Sequence, residues 1–218
     1  DIIVTYEIAK KEVNEPTVVG TYTYNTNEQT LVLDGYNEDI MDITGNKETN
    51  AGDYTAVVTL DNNHKWANGF DGNIAWSIKK ADSIITSTLE ASKVYDGEVL
   101  DLEDILAKLN LNHNEKQLSV VTSSTIKNVG VYTITVSVEE STNYLAATET
   151  YTFEVTPRNI TIEIEAKGGT YNGIIFDAEI TKIDNVIEGD EVEIRLVYSG
   201  NSNSGDQYNK VTSVPHLA

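Results

Sequence analysis

Strict alternation of apolar and polar side chains runs through two stretches of this chain that begin alike. In one, Tyr54, Ala56, Val58 and Leu60 fall on one face of an extended strand. In the other, Tyr132, Ile134, Val136 and Val138 do so, with Thr133, Thr135 and Ser137 opposite them. A period of two is the pattern of a strand packed on one side and wet on the other. Each stretch follows a matching lead, Asn50-Ala51-Gly52-Asp53-Tyr54-Thr55 and Asn128-Val129-Gly130-Val131-Tyr132-Thr133. Agreement over both the lead and the strand makes this an internal repeat. The same spacing sets Trp66 against Tyr144, after a polar connection. A second alternating stretch then closes each copy, with Ile74, Trp76 and Ile78 in the first and Tyr151, Phe153 and Val155 in the second. Val4, Tyr6 and Ile8 show the same alternation and read as the last strand of a preceding module.

The front of each copy carries a turn signal, Tyr24-Asn25-Thr26-Asn27, then Tyr95-Asp96-Gly97, then Tyr171-Asn172-Gly173 in a third copy. Asp-Gly and Asn-Gly supply the positive φ of a tight hairpin, and Thr26 stands where the first copy lacks that glycine. The third copy opens with Ile160, Ile162 and Ile164 alternating, and continues with Val192, Ile194, Leu196 and Tyr198. Its Asn203-Ser204-Gly205-Asp206-Gln207-Tyr208 puts the Tyr one place late, so this copy is truncated or degenerate. The expected organisation is a terminal strand over 1–9 and β-rich modules over 10–80, 81–157 and 158–218, with boundaries near Lys80-Ala81 and Thr156-Pro157. Linkers this short imply a semi-rigid rod. One segment departs from the β pattern: Asp101 precedes Glu103 and Asp104, while Leu102, Ile105, Leu106 and Leu109 fall at helical spacing. A short helix near 101–109 is expected there.

Composition narrows the class of protein. Of 218 residues, 39% are hydrophobic, 23% are charged and three are proline, which suits a folded chain and excludes collagen-like and disordered classes. Fifteen basic against 35 acidic residues give a net charge of −20. Such a field repels phosphate backbones and anionic lipid, so neither nucleic acid nor membrane contact is expected. The absence of cysteine removes disulfides, thiolate nucleophiles and Cys-ligated metals. No apolar run approaches the length of a membrane span. Any signal or anchor is expected to lie outside this stretch.

An Asn and Gly at a turn, with a Tyr two residues after the Gly at the start of a strand, resemble the tyrosine corner of immunoglobulin-like folds. The fold expected is therefore all-β, tandem small Ig-like β-sandwich modules in an elongated array. A β-grasp-like α+β module with the one short helix is the alternative. Together, the Tyr-(Asn/Asp)-Gly turn, the Asn-x-Gly-x-Tyr lead, the later Trp or Asn-Tyr and the closing aromatic strand resemble the bacterial Ig-like and MBG-type repeats of large Firmicutes surface proteins. That resemblance implies extracellular, secreted or wall-attached modules that serve as a stalk or spacer, or alternatively as adhesin modules engaging a host glycan or matrix protein. It implies a monomer whose partners are its own neighbouring modules. The structural markers are Gly52, Tyr54, Trp76, Gly97, Gly130, Tyr132, Phe153 and Gly173.

Candidate chemistry is sparse. His64, His113 and His216 lie apart in polar connections without ligand spacing. No nucleophile elbow, phosphate loop or His-Glu-x-x-His stretch occurs, so no enzymatic activity and no cofactor are expected. The acidic runs Asp34 to Asp42 and Asp101 to Asp104 match no EF-hand loop. Some surface modules of the resembled family carry a Lys to Asn amide cross-link, but Lys47, Lys65 and Lys127 sit beside turns rather than on core-facing strands. Trp66 and Tyr144 are the aromatic residues that would face a glycan if the modules bind one, and core packing is the expected alternative. Strand addition between chains, the strand over 2–8 of one complementing the third copy of another, is a further expectation.

Overall fold

A computed structural model describes residues 3–166, 168, 170 and 178–196. The protein is built mostly of strands, with very little helix. The first copy contains β1 (Lys11–Val13), β2 (Thr17–Val18), β3 (Tyr22–Thr23), β4 (Gln29–Thr30), β5 (Leu33–Asp34), β6 (Met41–Thr44), β7 (Lys47–Glu48), β8 (Gly52–Leu60), β9 (His64–Trp66) and β10 (Asn73–Lys79). The second contains β11 (Ile85–Ser87), β12 (Ser92–Val94), the helix α1 (Leu102–Leu106), β13 (Leu109–Leu111), β14 (Ser119–Thr122), β15 (Gly130–Val138) and β16 (Ala147–Thr156). Then follow β17 (Thr161–Ala166) and β18 (Ala178–Asp184).

The two alternating stretches of each copy become neighbouring central strands of a four-stranded sheet. In the first copy the order is β3-β10-β8-β6, and in the second it is β12-β16-β15-β14. The short first strand runs parallel to the closing strand in both, β3 on β10 and β12 on β16. Equivalent hydrogen bonds continue each parallel pair, Tyr24 N–H to Lys79 O at 2.8 Å and Tyr95 N–H to Thr156 O at 2.9 Å. A small antiparallel pair recurs as well, β2 with β5 and β11 with β13. The same connectivity is thus written twice.

Burial follows the alternation. On β8 Ala56 and Val58 are buried and on β10 Ile74, Trp76 and Ile78, joining Leu31 and Met41 in one core. Trp76 anchors it: its ring meets Tyr22 edge-on at 5.5 Å and Tyr54 at 5.3 Å, and its Nε1–H donates to Gly45 O at 3.1 Å. In the second copy Tyr132, Ile134, Val136 and Val138 are buried on β15, and Phe153 and Val155 on β16. Each buried aliphatic or aromatic side chain contributes about 1.5–3 kcal/mol, so the inward faces of these four strands carry most of the driving force.

Several expectations are corrected. The helix is shorter than 101–109: it ends at Leu106, and Leu109 lies in β13. Only Ile105 of its apolar residues is fully buried, because one and a half turns bring a single side chain onto the core. The first copy has no counterpart of α1: its single turn, where Asn37 O accepts from Ile40 N and Met41 N, follows β5, whereas α1 precedes β13. The Tyr-Asx-Gly turn takes a positive φ at Gly97 (79°) and at Thr26 (71°), yet closes no hairpin, since β3 pairs with β10 and β4 with β7. Val4, Tyr6 and Ile8 form no strand and are 77–84% exposed. Trp66 and Tyr144 are not equivalent. Lys11 pairs with His64 and Ala81 bridges to Tyr144, while Lys11 N–H bonds Asn63 O and Ala81 N–H bonds Asn143 O. The structural partner of Tyr144 is therefore His64. The connection after the central strand is longer in the second copy, 139–143 against 61–63, and this shifts the register.

In the third copy β17 and β18 pair antiparallel, Ile162 opposite Ile183 and Ile164 opposite Ile180. Val192, Ile194 and Leu196 are half-buried between exposed neighbours without forming a strand. Ile2, Tyr171-Asn172-Gly173, Tyr198, the stretch Asn203 to Tyr208 and His216 lie outside the described residues. The chain divides into two compact units. One comprises residues up to Leu89 with Glu103–Val121 and Thr135–Thr150, and the other comprises Glu90–Leu102, Thr122–Ile134 and the chain from Tyr151 onward. Residues of the expected module 81–157 contribute to both.

Candidate functional site

The lead into the central strand is a tyrosine corner in both copies. The hydroxyl of Tyr54 donates to Asn50 O and that of Tyr132 to Asn128 O, each at 2.7 Å. The ring folds back over the intervening glycine: a Cβ on Gly52 would stand 3.1 Å from the Tyr54 hydroxyl, and one on Gly130 3.8 Å from the Tyr132 ring. Glycine at this position makes room for the side chain that pins the turn. Burial and the nearby Glu48 carboxylate push the Tyr54 hydroxyl above its usual range, so it stays a donor.

Around the first corner lies a polar cluster centred on Asn143. Asn143 is the one buried polar side chain among the described residues, at 6% exposure. Its Oδ1 accepts from Ala51 N–H at 2.8 Å, and its Nδ2 donates to Asn50 Oδ1 at 3.2 Å and to Glu115 Oε1 at 2.9 Å. Its backbone N–H reaches Glu115 Oε2 at 3.2 Å. Every hydrogen-bonding atom of the amide is used, which removes the penalty of burying it. The Glu115 carboxyl is held below its ordinary range, first by the Asn143 side chain and further by Ser141, the Asn143 backbone and His113, against an opposing push from burial.

Tyr144 and His113 complete the cluster. Their rings stack at 3.9 Å and 15°, and Tyr24 meets Tyr144 edge-on at 5.4 Å. Glu115 N–H donates to His113 Nδ1 at 3.3 Å, and Ser83 Oγ lies 2.9 Å from Nε2 while donating to Leu145 O. Both ring nitrogens of His113 thus have a hydrogen-bonding neighbour. Tyr144 is 8% exposed and offers no open face. Trp66 is half-buried against the first core, edge-on to Phe70 at 5.1 Å.

The remaining histidine of the described residues, His64, lies 2.6 Å from Asp61, whose carboxyl it holds below the usual range. No group of three or more His, Asp or Glu side chains among the described residues is arranged to hold a metal. Lys47 and Lys65 make ion pairs with Glu28 and Glu12 at the surface. Reasoning from the sequence missed Asn143 and Glu115 entirely. The available signal was an Asn followed by a ring, Asn63-His64 and Asn143-Tyr144, in the same place after the central strand. No protein-family profile, curated protein or solved structure matches this chain.

Proposed function

We propose that the chain is a run of Ig-like β-sandwich modules, of the kind resembling MBG-type repeats, serving as the stalk or spacer of an extracellular bacterial surface protein. The observation that carries this reading is the duplicated unit: one strand order and one tyrosine corner appear twice, with only a short stretch between β10 and β11. In each sheet the neighbours β6-β8-β10 and β14-β15-β16 follow the C-F-G order of an immunoglobulin-type sheet, with the corner tyrosine on the F-like strand. That supports the sandwich over the β-grasp alternative. The acidity suits a surface spacer, since a high net charge opposes self-association. What is conserved between the copies is scaffold: buried strand faces, a turn and a corner. Such a division of labour is that of repeat proteins whose modules lend stability to one another.

A spacer has no ligand of its own. Surface plasmon resonance of the 218-residue chain over mucin and matrix proteins, together with a glycan array, tests this directly. The reading expects no saturable signal up to high micromolar concentration. Saturable binding lost in Trp66→Ala, with the fold retained, overturns it in favour of an adhesin module.

A further inference from the structure

We infer that the Tyr-Asx-Gly turn and the Asn-x-Gly-x-Tyr lead of each copy form one docking surface, whose partner is the loop pair of the following copy, and that Asn143 keys the first of these joints. Three observations in the first unit support this. The residue whose carbonyl receives the corner tyrosine, Asn50, also presents its side chain to Asn143, and its neighbour Ala51 donates to the same amide. Tyr24, from the turn, packs its ring edge-on to Tyr144. Lys80, at the junction, donates to Glu140 Oε1 and Ser141 O, each at 2.6 Å. The corner of one copy and the loops 111–115 and 141–145 of the next therefore share hydrogen bonds and ring contacts.

The second unit repeats the arrangement with different chemistry. There Tyr95 takes the place of Tyr24, and its hydroxyl donates to Asp190 Oδ1 at 2.9 Å. Gly97 takes the place of Thr26, and a Cβ on it would come within 2.7 Å of Ile187 Cγ2. Asn128 and Val129, the counterparts of Asn50 and Ala51, line a cavity of about 590 Å³ with Tyr95, Arg158, Ile187 and Asp190. The same two turns face the following segment in both units. The kind of partner that fits is another module of this repeat, presenting an apolar or aromatic side chain to the turn and a side-chain acceptor to the lead. This holds for a spacer and an adhesin alike, so it stands or falls apart from the proposed function.

The experiment uses the full chain and its tryptophans, both of which, Trp66 and Trp76, lie in the first copy. Tryptophan fluorescence in urea reports unfolding of the first copy alone, and far-ultraviolet circular dichroism reports the whole. Asn143→Ala, a change in the second copy, is expected to lower the fluorescence midpoint by about 0.5 M urea. The pair Asn50→Ala and Asn143→Ala is expected to be less than additive, since each removes the same joint. A lowered circular-dichroism midpoint with an unchanged fluorescence midpoint would show Asn143 to be a loop residue of its own copy and overturn the inference. Should Asn143→Ala fail to fold, Asn50→Ala tests the joint from the other side. Amide exchange at Ala51, whose N–H donates to Asn143 Oδ1 at 2.8 Å across the joint, is then expected to speed up, and unchanged exchange overturns the inference.

Discussion

At the scale of single residues, the two copies solve one problem with the same atoms. A chain must turn sharply and then enter a buried strand, and a tyrosine hydroxyl reaching back four residues fixes that turn at 2.7 Å in each case. Removing the hydroxyl leaves a carbonyl without its partner, at a cost of about 1 kcal/mol. Tyr54→Phe and Tyr132→Phe are therefore expected to destabilise by similar amounts in urea titrations. The copies differ at the Tyr-Asx-Gly turn, where Asn25 Oδ1 accepts from Asn27 N and Asp96 Oδ1 from Glu98 N, each at 3.0 Å. The intervening residue is left-handed in both, and Thr26, β-branched at φ 71°, is strained there. Thr26→Gly is expected to raise the melting temperature of the first copy, a gain of about 1 kcal/mol. Gly97→Ala is expected to lower stability, because φ is 79° and Ile187 occupies the space a Cβ needs.

At the scale of elements, what was legible in the sequence was what alternates for long enough. β8, β10, β15 and β16 each span seven or more residues, and their burial matches the pattern read from residue types. The pairs β2 with β5 and β4 with β7 have two residues per strand, too few for any period to show. The parallel pairing of β3 on β10 leaves no local mark, since parallel neighbours are brought together only by the whole connection between them. Asn143 was illegible for the same reason: its partners Asn50 and Ala51 are 93 and 92 residues away, and a lone Asn in a polar loop reads as solvated. The loop elements that hold it are charge-dependent. Glu115 ionises below its ordinary value of 4.5 in the folded state, so its contribution is fully present above about pH 4.5 and is lost as the pH falls through the lowered value. Melting temperatures measured from pH 6 to pH 3 are expected to fall more steeply for the native chain than for Glu115→Gln, which has no carboxyl to titrate there.

At the scale of the whole molecule, one small β unit is built twice, and the corner of the first copy is hydrogen-bonded to Asn143 of the segment that follows. The core of each copy is modest, and strands of two or three residues at the edges of its sheets add little burial. Modules of this size bury a smaller fraction of their surface than larger domains and gain from their neighbours. The third stretch shows the same habits, an antiparallel pair and a half-buried alternation at 192–196. Residue-resolved amide hydrogen exchange tests the duplicated unit most directly, because it reads which N–H groups are locked in sheets. The account predicts slow exchange in matched positions, Ala56 and Val58 on β8 with Ile134 and Val136 on β15, and protection at Ala51 from its bond to Asn143. Protection confined to one copy, or set in a different register in the other, would contradict it.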